Sequence, residues 1–392
     1  NRISPIGLVT NLFIIPWVGF LIVPLSLAAS ILSFFLSPIA TFLINLNSFI
    51  TLTLLRVLAF LASFPFASLF LSTPTALEIG LFYLLLFLTV HLKKQKVARY
   101  MFVGFCAVLA LDFAFWNLKG LFQRDLILTF IDVGQGDSIF IEFPKGEKML
   151  IDGGGLYGDR FDIGKNVIAP FLWKKKIHRL DYLVLTHPDP DHLKGLNFIA
   201  SHFSIGQFWE SGLRSDSESY SGLEETLLKK KVDRFSLNEK SPPQMINGVQ
   251  ISFLNPLEKV ELHRVGRSAS FFNNYSLVMR LQFKNIRVLL AGDIEKEAEY
   301  RILREGYPLR AEILKIPHHG SASSSTPYFL QRVKPSYAVL SVGERNIGRL
   351  PHPELIRRYQ ELGTKIYRTD KDGAITVTTD GETIEIKTFL KR

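Results

Sequence analysis

The sequence predicts an α-helical membrane segment followed by an α/β domain in which two β-sheets pack together with helices outside. Three observations predict it. Residues 6 to 37 carry no charged side chain, and about 20 apolar residues suffice for a helix to cross a bilayer. From Leu126 onward, short β-rich runs outnumber helical runs and alternate with them irregularly. Ionisable residues gather where those runs end, above all in "THPDPDHLKG", residues 186 to 195.

At 392 residues the chain has room for two or three domains. Residues 1 to 120 hold seven Lys/Arg against two acids, and the rest holds 39 against 34, so each part carries +5. Nearly all the charge nevertheless lies in the second part. After the first apolar run, "ALEIGLFYLLLFLTVHL" and "YMFVGFCAVLALDFAFWNL" are further spans. Arg56 and scattered Ser and Thr interrupt residues 39 to 73, which can span or lie in the interface. Pro16, Pro24 and Pro65 are tolerable where neighbouring helices satisfy the freed backbone groups. The chain starts at Asn1 with no basic leader, so no signal peptide is expected and the chain reads as a piece of something longer. Lys93, Lys94, Lys96 and Arg99 form a short basic loop, which the positive-inside rule keeps cytoplasmic. The following span would then carry the remainder across the membrane, unless the cluster is merely a solvated turn. Cys106, the only cysteine, lies within a span and excludes a disulfide framework.

In the second part, "LILTFIDV", "DSIFIEF", "KMLIDGGG" and "LDYLVLTH" read as strands, and "HLKGLNFIASHF" as an amphipathic helix. "VQISFLNP", "SLVMRLQF", "IRVLLAGD", "AEILKIPHHG", "SYAVLSVG" and "GAITVTT" are further strands, with helices in "IEKEAEYRILREG" and "PELIRRYQELG". The segment 211 to 222, "SGLRSDSESYSG", is the most loop-like. Asp152, His187, Asp293, His318 and His319 each follow directly on an apolar strand, so all can converge on one rim. One such residue alone would be a turn or cap; the set points to shared metal or catalytic chemistry. Asp132 reads as a structural residue inside a strand, and Gln135, Gly136 and Asp137 as a tight turn. His91, His178, His202 and His263 lack partner motifs and read as surface or interface residues.

The loop of His187, Asp189, Asp191 and His192 resembles the HxHxDH loop of the metallo-β-lactamase superfamily, with Asp in place of the second His. "FIDVGQGDSIFIEF", "LTHPDPDHLKGL", "NNYSLVMRL", "LLAGD", "LKIPHHGS" and "SVGERNIGRLPHP", in this order, resemble the ComEC family of DNA-uptake channels. The opening "ISPIGLVTNLFIIPWVGFLIVPLSL" is similar to the end of that family's membrane region. The resemblance implies a transmembrane segment over 1 to 120, followed over 125 to 392 by a metallo-β-lactamase-like αββα sandwich. It implies a metal-dependent phosphodiesterase of an extracytoplasmic domain in the cell's inner membrane, cutting the DNA strand that does not enter. Its partners would be sequence-independent single-stranded DNA, membrane lipid and other DNA-uptake proteins.

By the same resemblance, His187 and Asp189 serve one divalent ion, Asp191 and His192 the other, Asp293 bridges both, and His319 completes the second site. His318 is then a substrate or supporting contact, Asp152 a brace, and Asp137 a positioning residue. Asp191, His192 and Asp293 would also carry catalysis. His352 would contact a phosphate or protonate the leaving group, or it simply starts a helix. At the third motif, Asn274, Tyr275 and Ser276 stand where other members place a His. Oxygen-rich, imidazole-poor ligands favour Mn²⁺, with Mg²⁺ or Zn²⁺ as alternatives. A tethered hydrolase of a small phosphodiester or ester, and a non-catalytic DNA-binding channel domain, are the rival readings. The dense runs "LWKKKIHR" and "LLKKKVDR" are phosphate-tracking patches or solvated helix ends.

Overall fold

The computed structural model describes residues 2–64, 66–91, 96–155, 161–257, 269–344 and 348–390. Compactness divides the chain into two units, 1–73 and 74–392. In the first, β1 (Arg2–Ile3) leads into α1 (Pro5–Trp17), a wide π turn over Val18–Ile22, and α2 (Val23–Leu32). The wide turn falls between Pro16 and Pro24, whose rings remove backbone donors from the helix. Next comes α3 (Ser37–Ala62), and β2 (Leu69–Phe70) returns to pair with β1. Pro5–Leu32 and Ser37–Ala62 are each long and apolar enough to span. The segment whose role the sequence left open is thus one continuous helix across Arg56. Its Thr41 and Thr53 hydroxyls donate to carbonyls one turn back, which satisfies them without water.

The second unit opens with α4 (Ala76–His91) and α5 (Lys96–Leu118), the latter extended by a 3₁₀ turn over Lys119–Phe122. Lys96–Phe122 meets the length of a span, whereas the 16 residues of α4 reach only about 24 Å. Lys96 and Arg99 lie in the first turn of α5; Lys93 and Lys94, on which the topology argument also rests, lie outside the described residues, as does His263.

The strands then build the first sheet: β3 (Leu126–Phe130), β4 (Ile139–Glu142) and β5 (Lys148–Ile151), followed after α6 (Ala169–Lys174) by β6 (Arg179–Leu185). Next come α7 (Pro190–His202), β7 (Ser204–Glu210), α8 (Glu218–Lys229) and β8 (Asp233–Ser236). The second sheet starts with β9 (Gln244–Ile246), β10 (Val249–Asn255), α9 (Ala269–Asn274), β11 (Val278–Phe283) and β12 (Ile286–Leu290). It continues through α10 (Lys296–Arg304), β13 (Ile313–Lys315), α11 (Pro327–Val333), β14 (Tyr337–Leu340), α12 (Pro353–Glu361) and β15 (Lys365–Arg368). Finally β16 (Ile375–Thr379) and β17 (Ile384–Thr388) return to the first sheet, where β16 pairs with β3.

Sheet order is β17-β16-β3-β4-β5-β6-β7-β8 in one layer and β15-β14-β13-β12-β11-β10-β9 in the other. Alternate residues such as Leu126, Leu128 and Phe130 meet Ile251, Met279, Leu281 and Val288 between the layers. Outside the second sheet, Ala298, Ile302, Phe329, Leu330, Leu355 and Tyr359 from α10, α11 and α12 form a second core. On the first sheet, Phe171 of α6 packs edge-on against Phe140 of β4. The αββα sandwich is therefore the observed layering.

Some local readings change. The loop-like segment 211 to 222 already contains the start of α8, whose first turn is capped by the Ser217 hydroxyl accepting from Tyr220 N–H. Asp132 lies past the end of β3 and exposed, its carboxylate accepting from Gly134 N–H, so it shapes the turn and lies outside the strand. Both dense lysine runs straddle helix ends, those of α6 and α8. In one, the Lys230 ammonium donates to the carbonyls of Ala200, Ser201 and Phe203 around the close of α7.

Candidate metal centre

In both sheets the site residues follow the carboxyl ends of parallel strands. Asp152 follows β5, His187 follows β6, Asp293 follows β12, and the Pro317–Gly320 turn follows β13. The turn between β3 and β4 packs onto the start of α7, where Asp137 N–H donates to the Asp191 carbonyl. Gly136 makes this approach possible: its φ is +93°, and a Cβ there would collide with that same carbonyl. α7 likewise lies on the "GGG" turn, with Gly153 N–H donating to the His192 carbonyl at 2.6 Å.

Three imidazoles are held in one sense. Asp152 accepts from Thr186 N–H and from Thr186 Oγ1, and its Oδ2 lies 2.8 Å from His192 Nδ1. His187 Nδ1 lies 3.0 Å from Thr186 Oγ1 and 3.2 Å from Ser276 Oγ. His319 Nδ1 lies 3.0 Å from the Ser341 carbonyl. Each Nδ1 is thereby committed, and the three buried Nε2 atoms have no hydrogen-bond partner. Carboxylates surround them. Asp293 Oδ2 is 3.2 Å from His192 Nε2 and 3.0 Å from His319 Nε2, Asp191 Oδ2 is 3.5 Å from His319 Nε2, and Asp189 Oδ2 is 3.7 Å from His187 Nε2. None of these contacts has hydrogen-bond alignment, so the nitrogens are close to oxygen yet unsatisfied.

Buried imidazole nitrogens without a partner are costly unless a cation takes them. This donor set of three imidazoles and three carboxylates fits divalent metal. Burial, and after it the neighbouring His192, pushes His187 well below the ordinary imidazole value, toward the neutral form that offers a lone pair. Burial likewise raises Asp189 to about 7.

Asp137, His192, Asp293 and His319 also form a compact buried group. Within it, Asp137 stands behind the imidazoles: its oxygens lie 4.0 Å from His192 Nδ1 and 3.8 Å from His319 Nδ1, the committed edges. Its partner is Lys315, a residue the sequence reading passed over. This lysine is 1% exposed, and its ammonium contacts Asp137 Oδ2, Asp293 Oδ1 at 3.0 Å and the Gly292 carbonyl at 2.9 Å. Burial opposes its charge, but Asp137 and Asp293 outweigh burial and hold it above the usual lysine range. A lysine set between the apolar residues Ile313, Leu314 and Ile316, directly before "PHHG", was the available signal.

The remaining predicted residues lie at the rim or behind it. Asn274 turns its Oδ1 to the N–H groups of Glu295 and Ala298, bracing the start of α10. Ser276 Oγ accepts from Asp293 N–H as well as touching His187, so it links the two. Neither supplies a replacement for a third-motif His on the Nε2 side. His318 faces Asn273 and Glu295, at 3.3 and 3.4 Å. His352 is exposed and caps α12, its Nδ1 accepting from Glu354 N–H, while its own N–H donates to the Gly320 carbonyl and keeps it beside the histidine turn.

Replacing Asp152 by Asn is expected to weaken divalent-metal binding roughly tenfold to a hundredfold, the usual cost of losing such a supporting contact. An amide nitrogen facing His192 would favour the tautomer with the proton on Nε2. Metal titration of the purified chain checks this; unchanged affinity would show that Asp152 does not set the imidazole's orientation.

An αββα sandwich with imidazoles and carboxylates buried at its strand ends defines a metallohydrolase-type fold. The chain belongs to the metallo-beta-lactamase superfamily, whose family model matches residues 131–344. The Competence protein model matches residues 1–96, and with these two parts the chain is a ComEC-type competence protein. It is 26% identical to ComE operon protein 3 of Bacillus subtilis (strain 168), over 96% of this chain and 48% of that protein. It is 27% identical to Competence protein ComA of Neisseria gonorrhoeae, over 95% of this chain and 47% of that protein. The chain thus spans about half the length of these relatives. Among solved structures it is similar to Igni18, a metallo hydrolase from Ignicoccus hospitalis, with 15% identity and a TM-score of 0.38 over 64% of this chain and 98% of that one.

Proposed function

We propose that this chain is part of a membrane channel for DNA uptake, and that its metal centre hydrolyses phosphodiester bonds of the strand that is not taken in. The observation that carries the hydrolase is the set of three orphaned Nε2 atoms, those of His192 and His319 beside Asp293 Oδ2 and that of His187 beside Asp189 Oδ2. Residues 1–120 are assigned to the membrane and 125–392 to the hydrolase, placed outside the cytoplasm of the inner membrane. His187, Asp189 and Asp293 would hold one ion, and Asp191, His192, His319 and Asp293 the other. When bound, two such ions supply an activated water and charge stabilisation for in-line displacement at phosphorus. Asp152, Thr186, Ser276 and the Ser341 carbonyl orient the imidazoles, and Lys315 holds the far oxygen of Asp293 so that Oδ2 faces them. His352, exposed beside the histidine turn, is the candidate contact for phosphate or leaving group. The first site is short of imidazole, which favours Mn²⁺.

The test is cleavage of single-stranded DNA by the full chain in detergent with Mn²⁺, Mg²⁺ or Zn²⁺, beside His187→Ala and Asp191→Ala. Metal-dependent cleavage lost in both variants is expected. A metal-loaded wild-type chain that cuts no DNA with any of the three ions would overturn the nuclease assignment.

A further inference from the structure

At the opposite ends of the same strands lies a second large feature. A cleft of about 1150 Å³ opens beside the amino ends of β5 and β6, lined by Lys148 and Arg179 there and by Trp116, Lys119 and Leu121 from the end of α5. It runs along the sheet as far as Ile131 and Asp132, but none of the metal-centre residues lines it, so it is distinct from that centre.

Its walls are tied to the end of the span. Lys145 N–H donates to the Gln123 carbonyl, and Gly120 lies so close to Gly146 that a Cβ on it would sit 3.2 Å from the Gly146 Cα. Lys176 reaches Glu78 at the start of α4 with two hydrogen bonds, of 2.6 and 2.8 Å. The cleft therefore stands where α4 begins and α5 ends, which is the level of the headgroups if Lys96–Phe122 crosses the bilayer.

The cleft's charges are mixed: the carboxylates of Asp132 and Glu147 line it as well, accepting from Gly134 N–H and the Asn247 amide, and among its cations two sets stand out. Lys175, Lys176 and Arg179 are neutralised by Glu142, Glu78 and Asp181. Lys119, Lys145 and Lys174 line the cleft exposed and, among the described residues, make no ion pair. Beside them Leu121, Phe389 and Leu390 line the same cleft and are 63%, 76% and 49% exposed. Lysines next to bare apolar side chains match a phospholipid, whose phosphate and acyl chain need opposite surroundings. A nucleic acid would use open aromatic faces for stacking. Here Phe389 alone offers an open ring, too few for a stacked strand: the Trp116 ring already has the Lys119 and Lys176 ammonium groups at 5.3 and 6.0 Å, and the Phe171 ring has Lys175 at 5.6 Å.

We propose that this cleft binds an anionic phospholipid headgroup through Lys119, Lys145 and Lys174, seating the hydrolase unit on the membrane surface. The proposal rests on reading Lys96–Phe122 as a membrane span. The test is native mass spectrometry of the full chain in mild detergent, offered equal amounts of phosphatidylglycerol and phosphatidylcholine. Preferential retention of phosphatidylglycerol is expected, reduced tenfold or more in the combined variant Lys119→Gln, Lys145→Gln, Lys174→Gln, with metal content unchanged. Equal retention of the two lipids, or no effect of the variant, would overturn the lipid site while leaving the span intact. Loss of oligonucleotide binding in the variant with lipid retention unchanged would make the cleft a nucleic-acid track and also overturn it. Recovery of the wild-type chain in the aqueous fraction without detergent would remove the span itself, and the proposal with it.

Discussion

Replacing Asp293 by Asn is expected to lower metal-dependent phosphodiester cleavage by roughly a thousandfold, the scale of losing one charge-stabilising group at a reacting centre. Asp293 divides its two oxygens between two tasks. Oδ2 stands 3.2 and 3.0 Å from the Nε2 atoms of His192 and His319, while Oδ1 accepts from Lys315. An asparagine can keep the oxygen toward Lys315 and place an amide nitrogen toward the imidazoles. The buried lysine then keeps an acceptor and the fold is preserved, but the centre loses the carboxylate that would be shared between the ions. Bound metal per chain and the cleavage rate should fall together while circular dichroism stays unchanged. Full metal occupancy and normal cleavage in this variant would refute the assignment of Asp293 as the shared ligand.

The second large effect is expected at Lys315. Substitution by Met keeps the length of the side chain and removes its charge, leaving the carboxylates of Asp137 and Asp293 buried without their cation. Removing one partner of such a buried set costs about 3–5 kcal/mol, which corresponds to a melting temperature lowered by roughly 10 °C for a domain of this size. Added divalent metal should recover part of that loss by neutralising Asp293 from its other side. Thermal unfolding with and without metal reads both effects. A melting temperature unchanged in the absence of metal would mean that the ammonium does not offset the two carboxylates.

Much of the centre was legible in the sequence because its residue types are unusual where they stand. Histidines and aspartates directly after apolar strands have few structural reasons to recur, and the fold does bring His187, His192, Asp293 and His319 to one rim. Lys315 escaped notice because lysine alone suggests solvent; only the convergence of β13 with the β3–β4 turn shows that it meets Asp137. Asn274 and Ser276 were legible as positions but not as orientations, since their hydrogen bonds run to α10 and to His187. Strand β8 offered no pattern, as all four of its residues are exposed at the edge of a sheet. Helix α8 was hidden by the serines that precede it, one of which is its cap. In α3, which runs on across Arg56, the Thr41 and Thr53 hydroxyls fold back onto their own helix, a pairing that composition does not reveal.

The pairing of β16 with β3 bears on how the domain is made. Thr129 and Thr376 lie side by side across 247 residues of chain, so the strand that opens the first sheet waits for almost the last one to be synthesised. Such high contact order slows folding, because a long loop must close before the contact is gained. Until β16 arrives, β3 presents a bare edge of unpaired backbone groups able to join a neighbouring chain. A ribosome stalled before Ile375 would therefore release an adhesive half-sheet, and assembly of this protein calls for a period of protection between translation and closure.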